Sequence, residues 1–203
     1  MRHATHQSAS RQRGVVLIFT LIILLILTIG AVALMRSMNT SLFSAGNLAF
    51  RRDLANQAEQ AVSTVMTEFR TGGPLATSAV TDANVPLYNY SAAMLPANAQ
   101  GVPNLLLGGD STFNSSGFTS STHDIPGATP DVVIRYVIDR LCTNPGPVDP
   151  IQCVQSSAAP TGGTANGTQV ITPPSATVYR LSVRVTGARS TQMFLQTTFT
   201  RQD

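Results

Sequence analysis

The feature that most constrains this chain is an apolar run close to its N-terminus. The run from Val15 to Leu34 reads VVLIFTLIILLILTIGAVAL and contains no charged residue. A helix rises about 1.5 Å per residue, so a run of this length covers about 30 Å, the thickness of the hydrocarbon core of a bilayer. The sequence therefore predicts one membrane-spanning helix over residues 15–35.

Arginines on both sides of the run predict its orientation. Arg11 and Arg13 precede it and Arg36 follows it. A short arginine-rich tail stays in the cytoplasm by the positive-inside rule, so the rest of the chain is expected on the outer side of the membrane.

The net charge of +3 belongs to this tail, because the remaining basic and acidic residues balance. A nucleic-acid partner is not expected, because such proteins cluster basic residues on the folded body.

Small and hydroxyl residues within the run predict how the helix packs. Thr20 and Thr28 can donate to backbone carbonyls of their own helix. Gly30, Ala31 and Ala33 form a patch of small residues where a second helix can approach closely. This part of the chain is therefore a candidate surface for helix bundling.

Three processing fates are compatible with the run. An uncut run would anchor the chain in the membrane. A secretory signal would be cut after the small-x-small sequence Ala31–Ala33, although an apolar region of about 17 residues exceeds the usual 7 to 15. The third fate is cleavage between Gly14 and Val15, which removes the basic tail and retains the apolar helix.

The helix is predicted to continue beyond the membrane, over residues 36–71. Apolar residues recur there at steps of three and four, which indicates an amphipathic helix. These positions are Leu54, Ala58, Ala61, Val65 and Phe69. The two glycines and the proline of Thr71–Pro74 predict the end of the helix.

The remaining chain reads as a loop-rich connector over residues 72–130 and a sheet region over residues 131–203. The β-branched run Val132–Leu141 predicts a strand buried on much of both faces. Val178–Thr186 and Thr191–Arg201 alternate apolar and polar residues around a short turn, which predicts an antiparallel hairpin. Strict alternation implies that one face of this hairpin is wet. The predicted fold class is α+β, with a long N-terminal helix packed on a small antiparallel sheet.

Two cysteines, Cys142 and Cys153, flank a turn-rich segment of the sheet region. In an exported body they are expected to form a disulfide. A metal site needs further ligands at short spacing, and a catalytic cysteine needs a histidine partner. Only His123 lies outside the N-terminal tail. No catalytic residue, metal site or cofactor is therefore expected.

Several segments are similar to a known family. Arg11-Gln12-Arg13-Gly14 and the apolar run that follows resemble the leader and N-terminal helix of type IV pilins and pseudopilins. Ala45–Arg51 and Gln57–Ala61 resemble the helix continuation in the PilX family of minor pilins. Tyr179–Ala188 resembles the C-terminal part of the same family. The resemblance covers both ends of the chain and leaves the middle open.

The resemblance implies a processing step and a position in a filament. Residues 1–14 would be a cytoplasmic leader that prepilin peptidase removes after Gly14, leaving Val15 as the methylated first residue. Most family members have Phe there. Most major pilins also carry a Glu five residues into the mature chain, thought to pair with the N-terminal amine of a neighbouring subunit, where this chain has Phe19. Members without that Glu are expected at the filament tip, whereas in a simple anchor Phe19 would only face lipid.

The family further implies a non-enzymatic minor pilin that promotes type IV pilus assembly, motility and adhesion. The chain would enter the inner membrane with a periplasmic body and then reach the pilus tip. The expected partners are other minor pilins, the major pilin, a large tip adhesin, prepilin peptidase and the inner membrane, with no small-molecule substrate. The alternatives are a minor pseudopilin of a type II secretion system and a single-span periplasmic binding module or enzyme.

The last strand is predicted to lie at the edge of the sheet. An exposed edge offers free backbone groups to a strand from another chain. The sequence places this edge at Thr191–Arg201. A proline at Thr197 is predicted to weaken capture of a partner without unfolding the protein.

Overall fold

The computed structural model describes residues 13–156 and 176–202, and the side chains of all of these except 13, 14 and 202. The chain divides into two units, Met1–Phe50 and Arg51–Asp203, which are described in turn.

A single helix, α1, runs over Arg13–Phe69. In the first unit its large apolar side chains from Val15 to Phe43 are between 45 and 81% exposed. The helix is long and apolar enough to cross a membrane. A helix that is apolar on all sides and packs against nothing needs lipid or other helices around it. The predicted single candidate membrane span is therefore present.

The second unit contains the last part of α1, short helices and a six-stranded sheet. The further helices are short: α2 Ser78–Thr81, α3 Asn104–Leu107 and α4 Asp110–Asn114, with 3-10 turns at Pro86–Tyr88, Ser121–His123 and Ala188–Ser190. The strands are β1 Tyr90–Ser91, β2 Ile125–Pro126, β3 Val133–Arg140, β4 Gln155–Ser156, β5 Ala176–Thr186 and β6 Gln192–Gln202. The predicted α+β architecture is confirmed.

The sheet is built around the three long strands. β3 pairs antiparallel with β5, and β5 pairs antiparallel with β6 along its whole length. The predicted C-terminal hairpin is therefore confirmed. β2 and β4 add two-residue antiparallel pairs to β3 and β5. β1 is parallel to β3, so the sheet is mixed rather than purely antiparallel.

One face of the sheet packs on the last turns of α1. The predicted apolar positions Leu54, Ala58, Ala61 and Val65 are fully buried. A cluster of aromatic rings ends this core, with Phe69 in edge-to-face contact with Tyr90, Tyr179 and Phe199 at centroid distances of 6.2, 5.0 and 4.9 Å. Burial of each large side chain stabilises the fold by about 1.5–3 kcal/mol relative to exposure. The amphipathic helix that the periodicity predicts is therefore confirmed over these positions.

The helix ends where the glycines predict. The Leu75 N–H donates to the carbonyl of Glu68 at 3.0 Å, which satisfies an acceptor of the last turn. Gly72 has φ of +85°, in the left-handed region that glycine enters without a steric penalty. The chain can therefore turn back toward the sheet directly after Phe69.

The expectation of a wet second face is wrong. Ser182 and Arg184, at predicted solvent-facing positions, are 2 and 7% exposed. A segment of the predicted connector covers this face and forms a small core: Leu95, Leu106 and Phe113 pack with Val137, joined by Val102, Leu105, Phe118 and Phe194. Residues from 95 to 118 therefore form a third layer, which alternation within the hairpin does not reveal.

Candidate functional site

The predicted processing residues lie at the start of α1. Gly14 and Val15 are helical, and Val15 and Phe19 are 58 and 62% exposed. Val15 and Phe19 are four residues apart and therefore lie one turn apart on the same side of the helix. The first twelve residues of the predicted leader lie outside the described residues. The first turns of the helix thus present an apolar surface with no carboxylate.

The two hydroxyl residues of the run make the predicted bonds to their own helix. Thr20 donates to the carbonyl of Leu17 at 2.9 Å, and Thr28 donates to that of Leu25 at 2.8 Å. These bonds satisfy both hydroxyls within the helix, as an apolar surrounding requires. A Cβ atom at Gly30 would meet no atom within 4 Å. Gly30 and Ala33 share a face, where the backbone of another helix can approach, whereas Ala31 points about 100° away.

The second candidate surface is the outer edge of β6. Within the described residues β6 pairs as a strand only with β5, so its other edge has no strand partner. The strand contains no proline, and its one charged side chain, Arg201, bonds back to the carbonyl of Leu75 at 2.8 Å. Proline and outward charges are the usual devices that protect an edge from pairing. β6 lacks them.

The hydrogen-bond phase of the hairpin shows which backbone groups point outward. The Gly187 N–H donates to the carbonyl of Thr191 at 2.8 Å, so this pair is bonded across the hairpin. Bonded pairs recur at every second position, which includes Leu181 and Thr197. The backbone of Thr197 therefore bonds to β5, and that of Thr198 faces outward. A proline at Thr197 would remove a bond to β5, so the prediction that it leaves the fold intact is wrong. Thr198, whose backbone faces outward, is the position at which a proline tests the edge.

An apolar groove lies beside the first half of β6. It has a volume of about 610 Å³, and its apolar lining residues are Leu54, Val102, Leu107, Met193 and Phe194. A strand added to the edge of β6 could place side chains in this groove. Backbone pairing and side-chain burial are the two components by which added strands bind.

The predicted disulfide is formed between Cys142 and Cys153. The loop that it closes also accepts a hydrogen bond from a buried side chain of the body. Arg140, which is fully buried, donates to the carbonyl of Gly146 at 2.5 Å and to the carboxylate of Asp82 at 3.0 Å. Ile151 is 93% exposed. The loop is therefore anchored at its base and presents an apolar side chain to the outside.

Sequence reasoning missed a buried ion pair on the covered face of the sheet. Asp139 is fully buried, and its carboxylate accepts bonds from Arg180 at 2.9 and 2.5 Å and from the Leu95 N–H at 2.9 Å. Burial raises the pKa of Asp139 above its ordinary value although these donors oppose the shift. The pair fastens the covering segment to the sheet. The sequence shows polar residues on both predicted strands. It does not show the register of the strands, which decides which of these residues lie opposite each other.

Glu68, in the last turn of α1, is a second carboxyl of interest and is half-buried. Its Oε2 atom is buried and meets no hydrogen-bond partner in the described part of the chain. Burial raises the pKa of Glu68 to about 7 from 4.5. Because the folded pKa exceeds the unfolded one, protonation stabilises the fold. This stability is fully present below pH 4.5 and is lost as pH rises to about 7.

We therefore expect the substitution Glu68→Gln to remove part of the pH dependence of stability. Between pH 4.5 and 7 the wild type should lose about 1 kcal/mol more unfolding free energy than the variant, a value reduced for solvent screening. Urea titrations of the full chain in detergent at several pH values measure this. The exposed Glu59→Gln substitution should leave the wild-type profile unchanged. Parallel profiles for wild type and Glu68→Gln would contradict the assignment.

The candidate residues thus fall into two groups: an apolar helix in the first unit, and an edge strand with a disulfide loop in the second. Across residues 13–156 and 176–202, no three His, Cys, Asp or Glu side chains lie close enough to share a metal ion. Comparison of the chain with models of protein families, with characterised proteins and with solved structures finds no match.

Proposed function

We propose that this chain is a minor pilin of the PilX type, a non-enzymatic subunit of the tip or priming complex that promotes assembly of type IV pili for motility and adhesion. The observation that carries the proposal is the start of α1. A basic tail ends in Gly14, and an uncharged helix with exposed apolar side chains follows at once. A helix retained after removal of its basic tail can pass from a membrane into a bundle of similar helices.

The two halves of the chain support a route from the inner membrane to the periplasm. The helix is a candidate single span, and arginines precede it. The disulfide suits an oxidising compartment, because cytosolic thiols are kept reduced. In the proposal, prepilin peptidase cuts after Gly14 in the cytoplasm, the body folds in the periplasm, and the subunit then moves to the pilus tip.

Phe19 supports a position at the tip. A carboxylate in an apolar helix bundle is costly unless a partner compensates it. A subunit with Phe19 has no such group to pair, so it needs no subunit ahead of it. Its proposed partners are the other minor pilins, the major pilin behind them and a large tip adhesin.

Deletion of the gene in its native host, followed by complementation, tests the proposal. We expect surface pili, counted by electron microscopy, and twitching motility to fall strongly and to return with the wild-type chain. Loss of exoprotein secretion with normal pili would instead indicate a minor pseudopilin, a class that shares the leader pattern and the missing carboxylate. Normal pili and normal secretion would contradict both and favour an anchored periplasmic module.

The β6 edge is the proposed docking surface for a neighbouring subunit or the adhesin. Thr198→Pro removes an outward N–H, so we expect co-purification of partner proteins with the full chain to fall about tenfold, with little change in stability. Thr198→Val keeps the N–H and should co-purify partners as the wild type does. Equal capture by Thr198→Pro and Thr198→Val would rule out pairing at this edge while leaving the pilin assignment open.

A further inference from the structure

The apolar groove beside β6 reaches both layers that cover the sheet. α1 packs on one face of the sheet, and the covering segment, residues 95–118, packs on the other. The groove borders the first half of β6 and also residues of both layers. Those residues are Arg51 and Leu54 of α1 and Asn98, Gln100, Val102 and Leu107 of the covering segment. The groove therefore passes around the free edge of β6.

The first half of β6 presents apolar side chains toward both layers. Met193 lies on the face of β6 that carries Phe199, which contacts Phe69 of α1. Phe194 lies on the other face and packs with the covering segment. Both Met193 and Phe194 are only half-buried. A strand added at this edge would lie between the two layers and would send alternate side chains toward each of them.

A second, smaller cavity lies beside the groove on the covered face of the sheet. It has a volume of about 140 Å³ and shares Gln100, Val102 and Phe194 with the lining of the groove. Leu106 and Gln196 also line it. A cavity of this size accommodates about one aromatic ring. One large apolar side chain of an added strand can therefore be buried there.

The groove carries a positive charge without a negative one. Arg51 is exposed at its wall, and in the described part of the chain no carboxylate lies within 4 Å of the Arg51 guanidinium. None of the described residues that line the groove or the smaller cavity is acidic. An apolar strand that also carries a carboxylate therefore complements the charge of this surface as well as its shape.

We propose that this edge binds an extended segment of a partner protein that carries one large apolar side chain and one carboxylate. The proposal rests on the proposed docking of a partner at the β6 edge and names what that partner presents. The backbone groups of Phe194 and Gln196 face outward, as those of Thr198 do, and pair with the segment.

The two side chains of the partner segment bind on opposite faces of the sheet. The apolar side chain enters the smaller cavity on the covered face, and the carboxylate pairs with Arg51 on the face that α1 covers. Side chains of a strand alternate between its two faces. The two residues of the partner are therefore an odd number of positions apart.

Charge reversal at Arg51 tests the carboxylate. With the full chain expressed in its native host, we measure co-purification of the protein whose capture depends on Thr198. Arg51→Glu should lower this capture about tenfold, because a like charge replaces an opposite one. Arg52→Glu makes the same change at the next residue, which is exposed but does not line the groove, and should keep the wild-type level. Equal capture by the two variants would overturn the proposal.

A photo-crosslink identifies the segment itself. Gln192 lines the groove, so benzoylphenylalanine in its place should react with the bound segment, which mass spectrometry of the crosslinked peptide then identifies. A segment with a carboxylate and a large apolar side chain an odd number of positions apart would support the proposal. Replacement of that carboxylate by lysine should restore capture by Arg51→Glu. A crosslink to a second copy of this chain, or to a segment without a carboxylate, would contradict the proposal.

The variants separate this proposal from the broader ones. If Thr198→Pro loses capture and Arg51→Glu does not, docking at the β6 edge is retained and pairing with Arg51 is wrong. If neither variant loses capture, docking at this edge is wrong as well. The pilin assignment is decided independently, by the first residue of the mature chain.

Discussion

Replacing Asp139 by alanine should lower the free energy of unfolding by about 3–5 kcal/mol, because it leaves the Arg180 guanidinium without its carboxylate in a nearly dry site. The Arg180 side chain is only 12% exposed, and among the described residues its other hydrogen bond goes to the Leu95 carbonyl at 3.3 Å. The Leu95 N–H loses its acceptor as well. Urea titration of the full chain in detergent, followed by tyrosine fluorescence, measures the loss.

A double variant separates the net contribution of the ion pair to stability from the destabilisation that follows when only one partner is removed. Asp139→Leu combined with Arg180→Met replaces both charges by apolar groups, so we expect it to be markedly more stable than Asp139→Ala. The raised pKa of Asp139 agrees with this expectation, because it indicates that burial outweighs the bonds from Arg180. Losses that simply add in the double variant would show that the two groups are not coupled.

Replacing both Cys142 and Cys153 by alanine should lower the free energy of unfolding by about 3 kcal/mol. The bridge closes a loop over a sequence separation of 11, and a crosslink of this length restricts the unfolded chain by about that amount. Arg140 donates to the Gly146 carbonyl, and the Gly146 N–H donates to the Asp82 carbonyl. These bonds should keep the base of the loop in place in the folded variant. Unfolding curves of wild type and the double variant measure the difference.

A reducing agent supplies the control for this prediction. Dithiothreitol should lower the stability of the wild type to that of the double variant and should leave the double variant unchanged. A double variant as stable as the oxidised wild type would show that the hydrogen bonds of the loop hold it without the bridge. Equal sensitivity of both proteins to the reductant would mean that the effect does not come from the bridge.

The parts of the fold that follow from local periodicity were predictable. Leu54 and Val65 mark the buried face of α1 because helical neighbours recur every three or four residues. Alternation in Val178–Thr186 and the short turn after it predict the hairpin without knowledge of any distant contact. The exposure of the apolar run from Val15 was also predictable, because no other segment of the chain is long and apolar enough to cover it.

The parts that depend on distant partners were not predictable. Arg184 has the same alternating position in the sequence whether water or a covering segment lies over it, and its partners Leu106 and Gly108 are more than 70 positions away. The same holds for Asp139, whose partner Arg180 becomes visible only when the register of β3 and β5 is known. The outward direction of the Thr198 backbone likewise requires the register of β5 and β6. Sequence periodicity identifies faces, and contacts across the fold decide what covers them.

The most direct test of the account is the identity of the first residue of the mature protein. The chain is recovered from membranes of cells with and without prepilin peptidase, and its N-terminal sequence and mass are determined. We expect a methylated Val15 that appears only when the peptidase is present. A first residue at Leu34 would make the chain a secreted protein, and an intact Met1 would make it a simple membrane-anchored one. Either of these results would contradict the proposed function.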